Sequence, residues 1–259
     1  MTRFSANLGF LWTELPLPAA IRAAHRAGFA AVECHWPYDT PPEAVAAALA
    51  ETGMPMLGLN TVRGAPGEMG LAALPGREAE ARAAIDQAIA YADAIDAANI
   101  HVMAGTATGP QAAASFAANL RYACAATART ILIEPLNPRD APGYFLNTSA
   151  QAQAIIETLA VPNLRLMFDC YHIQIIEGDL SSRLAALLPI IGHIQIAAVP
   201  SRSEPDAGEL DYAHILTLLD DLGHTGWIGA EYRPKTGTDA GLGWIPTLAS
   251  RRGKRLAKP

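Results

Sequence analysis

Eight short apolar segments, at residues 4–10, 30–36, 56–60, 100–104, 131–134, 164–169, 193–197 and 227–231, alternate with longer amphipathic ones along the whole chain. This alternation constrains the fold more than any other feature. A strand, a helix and a second parallel strand can be joined only by a right-handed crossover, and repetition of the unit gives a parallel sheet covered by helices. The intervening helices are predicted at residues 18–27, 42–51, 77–98, 110–128, 148–159, 180–188 and 211–222. Pro42 suits a first helical turn, where a missing N–H costs nothing, and Gly28, Gly53 and Gly223 act as stops. In the longest helix Ala81, Ala84, Ile85, Ala88, Ala92 and Ile95 fall on one face. Eight such units form either a closed (β/α)8 barrel or an open doubly wound sheet.

The strand ends decide between these. Four of the last runs read Ile131-Leu-Ile-Glu134, Leu166-Met-Phe-Asp169, His193-Ile-Gln195 and Ile228-Gly-Ala-Glu231. A strand covered by helices on both faces should be apolar throughout, so a charge at its end is costly unless it is paired or holds a cation. Polar groups on four successive strands converge at one end of the sheet. A barrel places its active site there, whereas an open sheet has one crevice at a switch point. The expected fold is therefore a closed (β/α)8 TIM barrel, with residues 1–259 as one domain and a basic tail at 251–259. Glu134, Asp169, Gln195 and Glu231 are the expected metal ligands. Three carboxylates and an amide oxygen suit a hard divalent cation, Mg²⁺ first and Mn²⁺ second. Such an ion polarises a carbonyl and acidifies the neighbouring C–H, and Glu134 and Glu231, from strands five and eight, would serve as the acid–base pair that moves the proton.

Other residues take supporting roles. His172, three residues after Asp169, would donate to a substrate oxygen or bond to local backbone. Arg202, on the loop after strand seven, would grip a substrate carboxylate in a two-pronged contact or pair with Glu204 or Glu209. Glu33 closes strand two and would bond substrate hydroxyls or hold His35 or an arginine. His101 opens strand four, at the end away from the chemistry, and is expected to be structural. Of Trp12, Trp36 and Trp244, one or two would wall the pocket and the rest pack in the core. The Gly- and Pro-rich stretch 61–75 is long for a connection and forms a lid or a plain surface loop.

Length and charge agree with this reading. The chain has 259 residues, of which 51% are apolar, near the length of about 250 typical of one such barrel. Its net charge of −6 weighs against nucleic acid as a partner. Cys34, Cys124 and Cys170 are widely spaced and odd in number, as expected of reduced thiols in a cytoplasmic protein. No signal peptide or membrane span is expected. Alanine-rich outer helices fit a homo-oligomer as well as a monomer. No Walker-type glycine loop, dinucleotide fingerprint or nucleophile elbow is present.

Longer stretches resemble a known family. Arg3-Phe-Ser-Ala-Asn-Leu, Gly28-Phe-Ala-Ala-Val-Glu33, Ala73-Leu-Pro-Gly-Arg-Glu78, Ile133-Glu-Pro-Leu-Asn137, Pro142-Gly-Tyr-Phe-Leu146, Phe168-Asp-Cys-Tyr-His-Ile-Gln174, Gly192-His-Ile-Gln-Ile-Ala197, Gly229-Ala-Glu-Tyr-Arg-Pro234 and Ala240-Gly-Leu-Gly-Trp244 are similar, in order, to the hydroxypyruvate isomerase family of xylose-isomerase-like barrels. The resemblance implies a metal-dependent isomerase exchanging hydroxypyruvate with tartronate semialdehyde through an enediolate. It implies a metal at Glu134, Asp169, Gln195 and Glu231, with Glu134 and Glu231 as acid and base. Its substrate would be a small anionic hydroxy-oxo acid. Two positions depart from the family pattern: Ala198 replaces a usual aspartate, and Ser201-Arg-Ser-Glu-Pro205 replaces a loop that often carries histidine in place of Ser203. Relatives with the same ligands act on four-carbon 2-oxo acids or ketoses, so a 2-oxo-tetronate isomerase or a ketose 3-epimerase is the alternative. A DNA-repair endonuclease on this barrel would need a histidine-rich multi-zinc site and basic loops.

Overall fold

Each of the eight apolar runs contributes a parallel strand in the computed structural model, which describes residues 3–248. The basic tail expected at 251–259 lies outside the described residues. In chain order the elements are β1 (Arg3–Asn7), α1 (Leu17–Arg26), β2 (Ala31–Glu33), α2 (Pro42–Thr52), β3 (Gly58–Asn60), α3 (Glu78–Ile95), β4 (Asn99–His101), α4 (Gly109–Ala126), β5 (Thr130–Ile133), α5 (Ser149–Leu159), β6 (Leu164–Asp169), α6 (Cys170–Ile176), α7 (Leu180–Leu187), β7 (Ile191–Ile196), α8 (Tyr212–Asp221), β8 (Trp227–Ala230) and α9 (Thr238–Gly241). The sheet order is β2-β1-β8-β7-β6-β5-β4-β3. Its two ends meet: Val32 bridges Met56, Leu57 N–H donates to the Val32 carbonyl (2.7 Å) and Cys34 N–H to the Gly58 carbonyl (3.0 Å). The open-sheet alternative is thereby excluded.

The helices bury the faces that the spacing predicts. α3 buries Ala81, Ala84, Ile85, Ala88, Ala92 and Ile95, together with Tyr91. Gly53, in the left-handed conformation, ends α2. Thr148 caps α5 by accepting from Gln151 N–H (3.1 Å). Trp12 and Trp244 are core residues, with Trp244 edge-on to Phe4 at 5.0 Å and its indole N–H donating to Tyr232 Oη (3.0 Å). Among the described residues no helix is long and apolar enough to cross a membrane.

Two differences from the sequence reading matter for the site. β4 ends at His101 rather than starting there, so His101 stands at the C-terminal end with the acidic residues. The expected structural role at the far end is corrected accordingly. The apolar run Ile100–Ala104 continues past the strand, but the residues after His101 leave the sheet to pair with the loop above: Ala72 N–H donates to the Met103 carbonyl (3.3 Å) and Ala73 N–H to the Ala104 carbonyl (2.7 Å). In addition, α6 begins directly after Asp169, which caps it by accepting from Tyr171 N–H through Oδ1 (2.8 Å). Cys170 is thus a buried helical residue.

Candidate active site

Glu134 and Glu231 lie one residue beyond β5 and β8, Asp169 ends β6, and Gln195 stands one residue before the end of β7. Asp169 and Gln195 are register partners on adjacent strands, and Gln195 lies opposite Gly229 of β8. The cap at α6 occupies only one Asp169 oxygen. Asp169 Oδ2, Glu134 Oε1 and Gln195 Oε1 are all buried without a hydrogen-bond partner. Buried polar atoms are normally paired because leaving them bare costs about 1–3 kcal/mol each. Three bare oxygens at one barrel end therefore mark a place built to receive something electropositive.

Gln195 is aimed there by Glu33. Its amide N–H donates to Glu33 Oε2 (2.9 Å), which turns the amide oxygen the other way. Glu33 Oε2 also lies 3.1 Å from His193 Nε2, and Glu33 Oε1 accepts from Ser5 Oγ (3.0 Å). A side chain on Gly229 would bring its Cβ to 2.2 Å from Glu33 Oε1, so glycine is needed opposite. Both Glu33 oxygens are thus engaged beneath the site. The expectation that Glu33 bonds substrate hydroxyls gives way to a role in orienting Gln195. Burial opposes a charge on His193, but Glu33 beside it raises its pKa above the usual histidine value.

Glu231 is fully partnered. Its Oε1 accepts from Asn7 Nδ2 (3.0 Å) and lies 2.9 Å from His35 Nε2, and its Oε2 receives Arg202 at 2.6 Å. His35 reaches in because Gly9 has no Cβ, which would sit 2.1 Å from the ring. Arg202 also approaches Asp169 Oδ2 (3.5 Å) and Asp140 Oδ2 (3.4 Å), between the rings of Phe10 and Tyr171 at 4.8 and 4.9 Å. Its backbone is left-handed, with φ +51°. The turn is held by Arg202 N–H on the Ala198 carbonyl and Arg233 N–H on the Arg202 carbonyl, both 2.7 Å. Ala198 and Ser203 are buried in that turn, joined by Ala198 N–H on the Ser203 carbonyl (2.9 Å), and line no part of the cleft. Arg202 does not pair with Glu204, which instead accepts from Lys235 N–H (3.0 Å).

His172 is buried, and its Nδ1 accepts from the Asn137 backbone N–H (2.9 Å). The neutral ring therefore carries its proton on Nε2. That N–H faces Asp169 Oδ2 (3.6 Å) and Glu134 Oε1 (3.9 Å). His101 Nδ1 lies 3.7 Å from Glu134 Oε2. Glu134, Asp169 and His172 form a cluster that could hold a metal ion, with ligand atoms within 4.8 Å of one another.

The environments push the two glutamates apart. Burial, with the charges of Glu231 and Asp169, raises Glu134 well above the usual carboxylate range, and burial likewise raises Asp169. Burial would raise Glu231 too, but the Arg202 guanidinium and the His35 contact hold it below that range. Burial lowers His172 well below the usual value and His101 to about 4, so both rings are neutral at pH 7.

The space is in two tiers. A lower chamber of about 20 Å³ is walled by Asn7, Glu33, His101, Glu134, Gln195 and Glu231. Roughly 10–15 Å³ suffices for one water-sized occupant. Above it opens a cleft of about 70 Å³, reached by Glu134, Glu231, His172 and Arg202 and walled by Phe10, Trp36, Met69, Met103 and Leu136. Trp36 is thus the tryptophan that walls the pocket. Two larger hollows, about 430 and 670 Å³, lie by residues that precede β8 and β5, at the opposite end. Neither contains a metal-binding cluster among the described residues. Asn7, His35, Asp140 and Arg63 were not singled out as site residues. Asn7 ends β1 and His35 stands two residues beyond β2, polar groups at strand ends like the four expected ligands, and that was the signal available.

A family model described as xylose isomerase-like TIM barrel matches residues 21–248. The chain is 46% identical to the 2-oxo-tetronate isomerase of Cupriavidus necator, covering 97% of this chain and 100% of that protein. It is 37% identical to the hydroxypyruvate isomerase of Escherichia coli, covering 95% and 98% respectively. Its fold matches a crystal structure titled AP endonuclease, family 2, from Brucella melitensis, with a TM-score of 0.92 and 38% identity over 95% of this chain and 99% of that one. The chain belongs to the xylose isomerase-like TIM barrels, and among them it is an enzyme of the hydroxypyruvate isomerase-like group.

Proposed function

We propose that the protein interconverts hydroxypyruvate and 2-hydroxy-3-oxopropanoate (tartronate semialdehyde) through an enediolate, with Glu134 and Glu231 as the acid–base pair. The carrying observation is that two glutamates from different sides of the barrel, in opposite electrostatic surroundings, face one small cleft: burial raises Glu134, while the Arg202 guanidinium holds Glu231 down. One carboxylate of the pair takes the proton from carbon 3 and the pair returns a proton to carbon 2, as a 1,2 proton transfer requires. The His172 Nε2–H is a fixed neutral donor for the oxygen that gains charge. Met69, Met103, Leu136 and Phe10 give the cleft apolar walls.

The bare oxygens of Glu134, Asp169 and Gln195, with Glu231, fit a hard divalent cation, Mg²⁺ first and Mn²⁺ second. Bound there, such an ion would polarise the substrate carbonyl and acidify the adjacent C–H. His172 is assigned as a donor rather than as a fifth ligand, because the Asn137 N–H on its Nδ1 favours a proton on Nε2. Arg202 supplies positive charge to Glu231 and Asp169 and is held by both.

The Cupriavidus necator relative supports a second reading, a four-carbon 2-oxo-tetronate as substrate. The small, arginine-bordered cleft favours either acid over a neutral ketose for a 3-epimerase. A nucleic-acid substrate fits poorly with a net charge of −6 and a single acidic cluster among the described residues. The free thiols Cys34, Cys124 and Cys170 fit a cytoplasmic location. The test is proton NMR of metal-stripped protein with hydroxypyruvate and, separately, 2-oxo-tetronate, before and after Mg²⁺ or Mn²⁺. Metal-dependent turnover of either acid supports the reading, and the faster one names the substrate. No turnover of either by folded, metal-loaded protein would overturn it.

A further inference from the structure

We propose that Arg63, on the loop above the cleft, is the anchor for the substrate carboxylate and sets the preference of the site for acids. The inference rests on the hydroxy-oxo acid reading above and adds the residue that recognises the acid end.

Besides Glu33, which is engaged by His193 beneath the site, four carboxylates surround the cleft and its floor, Glu134, Asp140, Asp169 and Glu231, against two guanidiniums, Arg63 and Arg202. Arg202 is committed: it touches Glu231, Asp169 and Asp140. Even with a divalent cation on the floor, the charges would only balance, so an incoming anion needs a cation that no protein group already holds. Arg63 is that cation. Among the described residues no carboxylate lies within ion-pair distance of it, and its guanidinium lies 3.6 Å from the centre of the Trp36 ring. Stacking on an aromatic face restrains the plane while leaving the N–H edge free for a two-pronged contact with a carboxylate.

Its position is fixed from both sides. The Trp36 indole N–H donates to the Thr61 carbonyl (3.0 Å), so platform and loop are tied together. Gly70 N–H closes the loop onto the Arg63 carbonyl (2.8 Å), and Gly70 bridges Ala104 beyond β4. Arg63 is exposed at the mouth, while the glutamates and His172 lie on the buried floor. A three-carbon acid spanning the cleft would put its carboxylate at the mouth and its hydroxy-oxo end among the acid–base groups.

The test uses Arg63→Met, which keeps the stem and loses the charge, and Arg63→Lys, which keeps the charge and loses the fork. Binding is read by calorimetry with two unreactive probes, glycerate and its neutral counterpart glycerol. Turnover is read with hydroxypyruvate and with dihydroxyacetone, in which a hydroxymethyl group replaces the carboxylate. Arg63→Met should weaken glycerate by about tenfold or more without a matching loss for glycerol. It should raise KM for hydroxypyruvate more than it lowers kcat, and shrink the preference for hydroxypyruvate over dihydroxyacetone by a similar factor. Arg63→Lys should recover part of each. Glycerate binding within about twofold of the unaltered protein, or no glycerate binding by the unaltered protein at millimolar concentration, would overturn the proposal. Isomerase turnover indifferent to Arg63→Met would leave the isomerase reading standing and remove the anchor. Arg63-dependent glycerate binding without turnover of any acid would keep the anchor and remove the isomerase.

Discussion

An amide can be turned either way, and at Gln195 a single hydrogen bond decides which atom faces the site. The donation to Glu33 Oε2 leaves the oxygen bare beside the chamber that Glu134 and Glu231 also line. Glu33→Gln should therefore lower divalent-cation affinity by roughly 10–100-fold, the usual cost of losing a partner that orients a ligand. Titration of metal-stripped protein with Mn²⁺ checks this, and unchanged affinity would show that Gln195 needs no such partner. Glu134→Gln and Glu231→Gln should each cut kcat by about 10²–10⁴, the worth of one acid–base group. Near-normal kcat in either variant removes that residue from the proton transfer. The sequence showed these glutamates because a charge ending an apolar run is expensive. It hid the partners, since Glu33, His193 and Ser5 meet Gln195 only when strands distant in the chain become neighbours.

The elements carry their residues with differing legibility. Strands and helices were readable from periodicity, down to the buried stripe of α3. What failed was the end of β4, where an apolar run continues past the sheet and so placed His101 at the wrong end. α6 was missed because Asp169 serves both as strand end and as helix cap, a double duty with no period of its own. The loop at 61–75, expected as a lid or a plain surface loop, is tied to the barrel. Gly70, at φ +119°, packs where a Cβ would be 2.4 Å from the Met103 carbonyl oxygen, whereas Gly67, at φ +90°, faces open space. Gly67→Ala should then cost only the left-handed backbone strain, about 1–2 kcal/mol. Gly70→Ala should cost more and also raise KM, because it displaces the loop that carries Arg63. Thermal unfolding with steady-state kinetics checks the pair, and equal effects from the two would contradict this account of the loop.

For the whole molecule, the barrel gathers negative charge at one end of an already acidic chain and leaves it partly unpaired. Burial raises Glu134 and Asp169, so in the metal-free protein protons compete with a cation for these oxygens. Binding requires the deprotonated forms, so affinity should rise with pH through those raised values, and ion binding should release protons. Calorimetry of Mg²⁺ binding in buffers of different ionisation enthalpy measures that release, and a pH-independent affinity with no proton release would contradict it. Closure into a barrel was legible because four ligand-bearing strand ends need one meeting place. The two-tier cavity and the mouth arginine were not, because they depend on loop positions that no period specifies.

The central claim is that a proton, not a hydride, moves between the two carbons, by way of Glu134 and Glu231. The direct measurement is the deuterium content at carbon 2 of 2-hydroxy-3-oxopropanoate formed from hydroxypyruvate in D₂O, at early turnover and against an enzyme-free control. Solvent deuterium at that carbon, lost together with turnover in Glu134→Gln or Glu231→Gln, is the predicted result. Full turnover with no deuterium entering would contradict the enediolate route and the paired-glutamate account with it.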